Sequence, residues 1–224
     1  SRNRRMGIDL VTTGILMLDG ATNGAVYALL ALAIVLVFAV TRVIFIPQGE
    51  FVAYGALTLA ILQLGKVPGT VWLLLALALL AAALDVVAAL RRGAGAGPIA
   101  RRLLKDLWVP VVVVAVTLWA APRQFPLVVQ SVLTLAIVTP LGPLVYRLAF
   151  EKLADASVLV LLIVSVGVHF AMTGLGLAFF GAEGFRNPSF WDARFSAGAI
   201  SVTGQTLIIF MMSAVLILAL YLFF

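Results

Sequence analysis

The chain has 224 residues, 64% hydrophobic and 11% charged, where soluble domains carry about 25% charged residues, and this excludes a water-soluble globular fold. Its net charge of +6 does not point to nucleic acid, because the basic residues sit in short stretches beside apolar runs with no aromatic interleaving, as loop bias at a membrane produces. A mean hydropathy of +1.20, spread over several separate apolar segments, predicts an all-α polytopic transmembrane bundle of about 7 spans plus a short N-terminal half-helix, the whole of 1–224 forming a single domain.

In chain order, Ser1–Arg5 carries three arginines and is followed by the apolar piece Ile8–Leu18. Eleven residues make a helix of roughly 16 Å, about half of a 30 Å hydrocarbon core, which is the predicted half-helix or interfacial helix. No small-x-small cleavage site follows and Asp19 interrupts the run, so this start reads as retained sequence. Gly20, Gly24 and Ala28 repeat at fourfold spacing, the pattern of a helix-packing seam, although alanine is frequent enough for the stripe to be compositional.

The stretch Ala21–Gly65 sets the terms for the rest. An apolar helix over Gly24–Val40 runs into TRVIFIPQGEF (Thr41–Phe51) and then into a second apolar segment, Val52–Gly65. Pro47 lacks an amide hydrogen and disfavours helix at Ile46, and Gly49 loosens the next turn, so a helix break is predicted here. Glu50 beside it would cost about 2.5–3.5 kcal/mol near the bilayer centre, so a buried Glu50 needs a partner or a polar cavity. Two readings fit: a helix break near a translocation pathway, with Gln48 and Glu50 as its polar groups, or an interfacial loop.

Val67–Leu90 is the next span. Arg91–Asp106 (RRGAGAGPIARRLLKD) reads as a flexible basic loop; GAGAG has no preceding strand and no Gly-Lys-Ser/Thr ending, so it is not a phosphate-binding loop. Leu107–Ala121 is a short span with Trp108 and Trp119 at its ends, and Leu127–Tyr146 is a span that Pro140 and Pro143 kink near its exit. The polar link Arg147–Ser157 leads to the long span Val158–Phe180, which carries Ser165, Gly167, His169, Thr173 and Gly174. His169, the one histidine, fits either a hydrogen-bonded packing role or a proton carrier. Gly181–Val202 reads as a long irregular loop, mixing charges with Phe185, Phe190, Trp191 and Phe195, suited to docking a partner or to an aromatic interface collar. Thr203–Phe224 is the last span.

Two of these stretches resemble a known family. Asn23-Gly24-Ala25-Val26-Tyr27-Ala28-Leu29, the apolar helix after it, Arg42-Val43-Ile44 and Gly49-Glu50-Phe51 resemble the opening of the inner-membrane permease subunits of branched-chain amino acid ABC transporters, where a motif R-I-I-N-F-A-H-G-E-F follows the helix. Arg42, Ile44, Gly49, Glu50 and Phe51 match that motif, and Phe45–Gln48 stand where the family has N-F-A-H. Ile163–Val168 is similar to the family's I-A-T-I-G-V-like helix. The resemblance implies a permease fed by an extracytoplasmic solute-binding protein, paired with a second permease subunit in a homo- or heterodimer, and driven by separate ABC ATPase subunits that use the ATP. No cofactor is expected in this chain. It further implies a multi-pass protein of the bacterial cell inner membrane, in contact with lipid, and a substrate pathway including Asn23, Tyr27, Gln48, Gly49, Glu50, Ser165 and His169. Against the family, 91–126 has no counterpart and reads as an insertion, and the end at LYLFF stops short of the family's basic stretch and coupling helix, as a C-terminal truncation would.

Placing the basic stretches Arg91–Asp106 and Arg147–Lys152 in the cytoplasm makes Gly181–Val202 external and Arg42–Glu50 cytoplasmic. One crossing before Arg42 then leaves the N-terminal arginines outside, so either Ile8–Leu18 also enters the membrane or the Pro47 region is re-entrant. No Ser/His/Asp set, metal-spaced cluster or Walker motif is present, and the chain is not read as an enzyme. The leading expectation is an ABC importer permease for a branched-chain amino acid or similar small polar solute. The alternative is an ion-coupled secondary transporter in which Glu50 or His169 carries a proton.

Overall fold

The computed structural model describes residues 2–93, 95–197 and 200–223, and side chains within these except at 2–11, 96, 196, 197, 200 and 223. Eight α-helices and one β-hairpin are described: α1 (Arg2–Thr41), α2 (Gln48–Gln63), α3 (Gly69–Arg91), α4 (Ala96–Ala120), α5 (Leu127–Val138), α6 (Leu141–Ala149), α7 (Val158–Phe180), β1 (Arg194–Ala197), β2 (Ile200–Thr203) and α8 (Gly204–Phe223). Among the described residues six helical segments are long and apolar enough to cross a membrane: 12–41, 69–91, 97–123, 127–149, 158–180 and 204–222. The protein is a multi-pass membrane protein. The seventh expected span, Val52–Gly65, corresponds to α2, whose sixteen residues make about 24 Å of helix, short of a 30 Å core.

The chain divides into two compact units, Ser1–Val40 with Pro188–Phe224, and Thr41–Asn187. In the first, the expected half-helix Ile8–Leu18 is not separate: α1 runs without a break through Asp19 and Gly20, where no proline interrupts the ladder and the Thr22 hydroxyl donates to the Leu18 carbonyl at 2.8 Å. The N-terminal arginines at 2, 4 and 5 have side chains outside those described. The stretch expected as irregular loop contains an antiparallel hairpin, with Arg194 opposite Thr203 and Phe195 opposite Val202. Alternating Phe195 and β-branched residues favour a strand, and Trp191 secures the exit into α8. Its ring lies so close over Gly204 that a Cβ there would meet it at 2.6 Å, while the Gly204 amide donates to the Ala193 carbonyl at 2.7 Å.

The second unit is built around α3. Val71, Leu74, Ala78 and Ala81 recur at helical spacing and are buried. The alanines let α4 approach closely, and α5, α6 and α7 cover the rest of the helix. Leu62, Val71 and Ile137 form one part of the core; Tyr54, Leu74, Leu141 and Met172 form the next; Val43, Phe150 and Leu161 close its far end. The proline pair acts as expected: α5 ends at Val138, Pro140 has no amide to continue the ladder, and α6 restarts at Leu141. The basic stretch does not. Gly93 turns the chain at φ +71°, and α4 begins at Ala96, so Arg101, Arg102, Lys105 and Asp106 are helical rather than in a loop. Arginine, lysine and leucine are good helix formers, and that propensity outweighs their polarity here.

Docking α3 under α7 requires glycine at position 69. A Cβ added there would meet the Phe179 Cβ at 2.7 Å, whereas one added at Gly55, inside α2, would meet nothing within 4 Å. Gly69→Ala is therefore expected to destabilise the protein by about 1–3 kcal/mol, while Gly55→Ala is neutral or stabilising by up to about 1 kcal/mol. Thermal unfolding of the two variants in detergent checks the contrast.

Candidate functional site

The site is the junction between the link 42–47 and α7. Helix α1 ends at Thr41, whose hydroxyl accepts from the Val43 amide at 3.2 Å, and Arg42 takes a left-handed φ of 56° that turns the chain out of the helix. The link then alternates: Val43, Phe45 and Pro47 point inward while Ile44 and Ile46 face outward. Val43 packs with Val145, Phe150 and Leu161, and the Phe45 ring lies 5.6 Å from that of Phe51 and 6.0 Å from that of Phe150. A non-helical link inside an apolar bundle leaves amides that need partners. The Ile46 amide finds one in the Ser165 hydroxyl of α7, at 2.9 Å, besides a turn bond to the Ile44 carbonyl at 3.0 Å.

Pro47 precedes α2, and the Glu50 and Phe51 amides both donate to its carbonyl. Glu50 therefore sits in the first turn, where the helix dipole favours a carboxylate. Its Oε1 lies 2.7 Å from His169 Nδ1 and 3.4 Å from the Thr173 hydroxyl, which donates to the His169 carbonyl at 2.9 Å. The Glu50 side chain is 18% exposed and that of His169 35%, and Glu50 Oε2 is buried with no hydrogen-bond partner among the described residues. Leaving a buried polar atom unpaired costs about 1–3 kcal/mol, a cost that Gln63 Nε2, Gln130 Oε1 and Ser213 Oγ share among the described residues.

Ser165, His169 and Thr173 are spaced by four and share one face of α7; Glu50, Tyr54 and Thr58 do the same on α2. The two rows run parallel. Above the Glu50–His169 pair the Tyr54 hydroxyl donates to the Met172 carbonyl at 2.6 Å, and Gly176 leaves room for the Tyr54 ring, which a Cβ there would meet at 3.5 Å. A cavity of about 210 Å³ opens between them, lined by Glu50, Tyr54, Leu57, Met172, Thr173 and Gly176. A carboxylate and a protonated imidazole at this distance form an ion pair, although His169 Nδ1 is not aligned to donate a hydrogen bond, and the carboxylate can alternatively receive a cationic group from the cavity.

Comparison of the chain with protein-family models, curated proteins and solved structures finds no match. The geometry alone therefore ranks the candidate residues. It brings together Gln48, Gly49, Glu50, Ser165 and His169, with Thr173 beside them. Asn23 and Tyr27 lie on α1 in the other unit, both exposed there. Gly20, Gly24 and Ala28 are also exposed on α1, and a Cβ at either glycine would meet nothing within 4 Å. Sequence reasoning missed Tyr54 and Thr58, although their fourfold spacing from Glu50 was a readable signal. It also missed the ion cluster of Arg147 with Asp85 and Asp106, which ties α6 to α3 and α4 and had no local signal, the three residues being separated by 21 positions or more.

The pair yields a non-additivity test. His169→Leu leaves the Glu50 carboxylate without its main partner and is expected to cost about 2–3 kcal/mol, and adding Glu50→Gln should recover at least about 1 kcal/mol of that loss. Unfolding of the two single variants and the double variant in detergent measures the coupling.

Proposed function

We propose that the protein is the permease subunit of an importer that moves a small polar organic solute across the bacterial inner membrane, with the Glu50–His169–Thr173 cluster on its pathway. One observation carries this reading: a carboxylate 2.7 Å from an imidazole, with one buried oxygen unpaired, held at a helix break and lining a small cavity in an apolar bundle. Ionisable groups within membrane bundles are costly and mark substrate or proton paths, and irregular backbone at such depth is tolerated where it is buried or lines a cavity. The cavity is below the roughly 300–1,000 Å³ of drug-sized ligand sites, which suits a small solute. The resemblance of Arg42–Phe51 and Ile163–Val168 to branched-chain amino acid ABC permeases supports an ATP-driven importer. In that case ATPase subunits, a second permease subunit and an extracytoplasmic binding protein are its partners, and this chain performs no catalysis itself.

A second reading, a proton-coupled secondary transporter, is favoured specifically by the 2.7 Å approach of His169 Nδ1 to Glu50 Oε1, which sets two ionisable groups side by side without aligning them as a hydrogen bond. Uptake into proteoliposomes separates the two. On the first reading transport requires co-reconstituted ATPase and ATP and is indifferent to an imposed proton gradient; on the second the gradient alone drives it. On either, Glu50→Gln keeps the side-chain shape and membrane insertion while lowering uptake at least about tenfold, equivalent to roughly 1.4 kcal/mol. Parental uptake by Glu50→Gln would remove the cluster from the pathway.

A further inference from the structure

A second polar site lies at another end of the same unit. The last turns of α3, the first turns of α4 and the end of α6 surround a cavity of about 460 Å³. Arg92 reaches it from the close of α3, Arg102 from α4, and Lys152 from the turn after α6. Its floor is Arg147, whose guanidinium is bonded to Asp85 and, at 3.1 Å, to Asp106. That ion cluster, one cation with two carboxylates, carries a net charge of −1 and fixes the three helices around the opening. Among the described residues Arg92, Arg102 and Lys152 take part in no ion pair, and Glu151 is the one other carboxylate on the wall. With the Arg147 cluster counted, the four cations Arg92, Arg102, Arg147 and Lys152 stand against the three carboxylates Asp85, Asp106 and Glu151, which leaves one positive charge in excess. The remaining wall is apolar, with Leu84, Ala88, Ile99 and Leu148.

We propose that this cavity is a headgroup site for an anionic phospholipid. The cations lie where the apolar spans of α3 and α4 end, which is the depth of lipid headgroups, and the apolar wall continues from them towards the hydrocarbon. Basic pockets between transmembrane helices take phosphate headgroups in this way. A phosphodiester offers acceptor oxygens to the Arg92 and Arg102 forks, and the glycerol and first methylenes lie against Leu84 and Ile99. A zwitterionic headgroup carries its own cation into a site that already has an excess of them, so the site selects against phosphatidylcholine.

The test uses the purified full chain in a nonionic detergent, titrated with phosphatidylglycerol, phosphatidylcholine or inorganic phosphate, with bound lipid counted by native mass spectrometry and the unfolding midpoint followed in parallel. Phosphatidylglycerol should bind and raise the midpoint, and phosphatidylcholine should do neither. Neutralising Arg92 and Arg102 (Arg92→Gln with Arg102→Gln) should weaken phosphatidylglycerol binding about fivefold per arginine, hence roughly 25-fold for the pair. Arg92→Lys with Arg102→Lys should retain most of it. Both arginines are exposed, so the lipid-free midpoint of these variants should match the parent and verify their folding. Equal binding of the two lipids, or parental binding by the double glutamine variant, overturns the proposal. Equal protection by inorganic phosphate alone assigns the site to a free anion and overturns the lipid.

Discussion

The Ile46 amide and the Ser165 hydroxyl hold the candidate site together. A chain leaving one apolar helix and entering another without a continuous ladder must satisfy its backbone locally, since hydrocarbon offers no partner. Here α7 supplies that partner, and the same hydrogen bond sets α7 beside the first turn of α2, so that Glu50 reaches His169. The apolar contacts of Val43 and Phe45 fix the link from the other side, so the carboxylate is positioned by packing below it and by hydrogen bonds across from it. The helix break and the ionisable pair are one construction.

Much of this was legible before any coordinates. A helix break is one of the two readings that Pro47 and Gly49 allow, a buried Glu50 requires a partner, and Ser165, His169 and Thr173 stand on one span. What spacing within one helix cannot supply is which faces meet, so the pairing of Glu50 with His169 across 119 positions emerged only in three dimensions. At α2 the apolar character is that of a span, but Pro47 and the turn at Gly65, with φ of 69°, limit the helix to sixteen residues, about 24 Å. The basic stretch after α3 is polar enough to suggest a loop, but RRLLKD is a sequence of helix formers and lies within α4.

Polar groups in this chain are thereby sorted into two kinds. Arg147 is paired with two aspartates and serves as a clamp between helices, and the threonines Thr58 and Thr70 close on each other at 2.7 Å. Glu50 lies beside His169 with one oxygen unpaired, and it lines a cavity. That difference, rather than the presence of charge, distinguishes Glu50 from the Arg147 clamp.

The docking of the link onto α7 can be measured directly because the chain contains no cysteine. Glu50→Cys combined with His169→Cys, oxidised in native membranes, should cross-link in high yield. Glu50→Cys with Gly167→Cys should not, since position 167 lies about 200° around the same helix and is exposed. Cross-linking at 50/167 in preference to 50/169, or at neither pair, would contradict the arrangement on which the site depends.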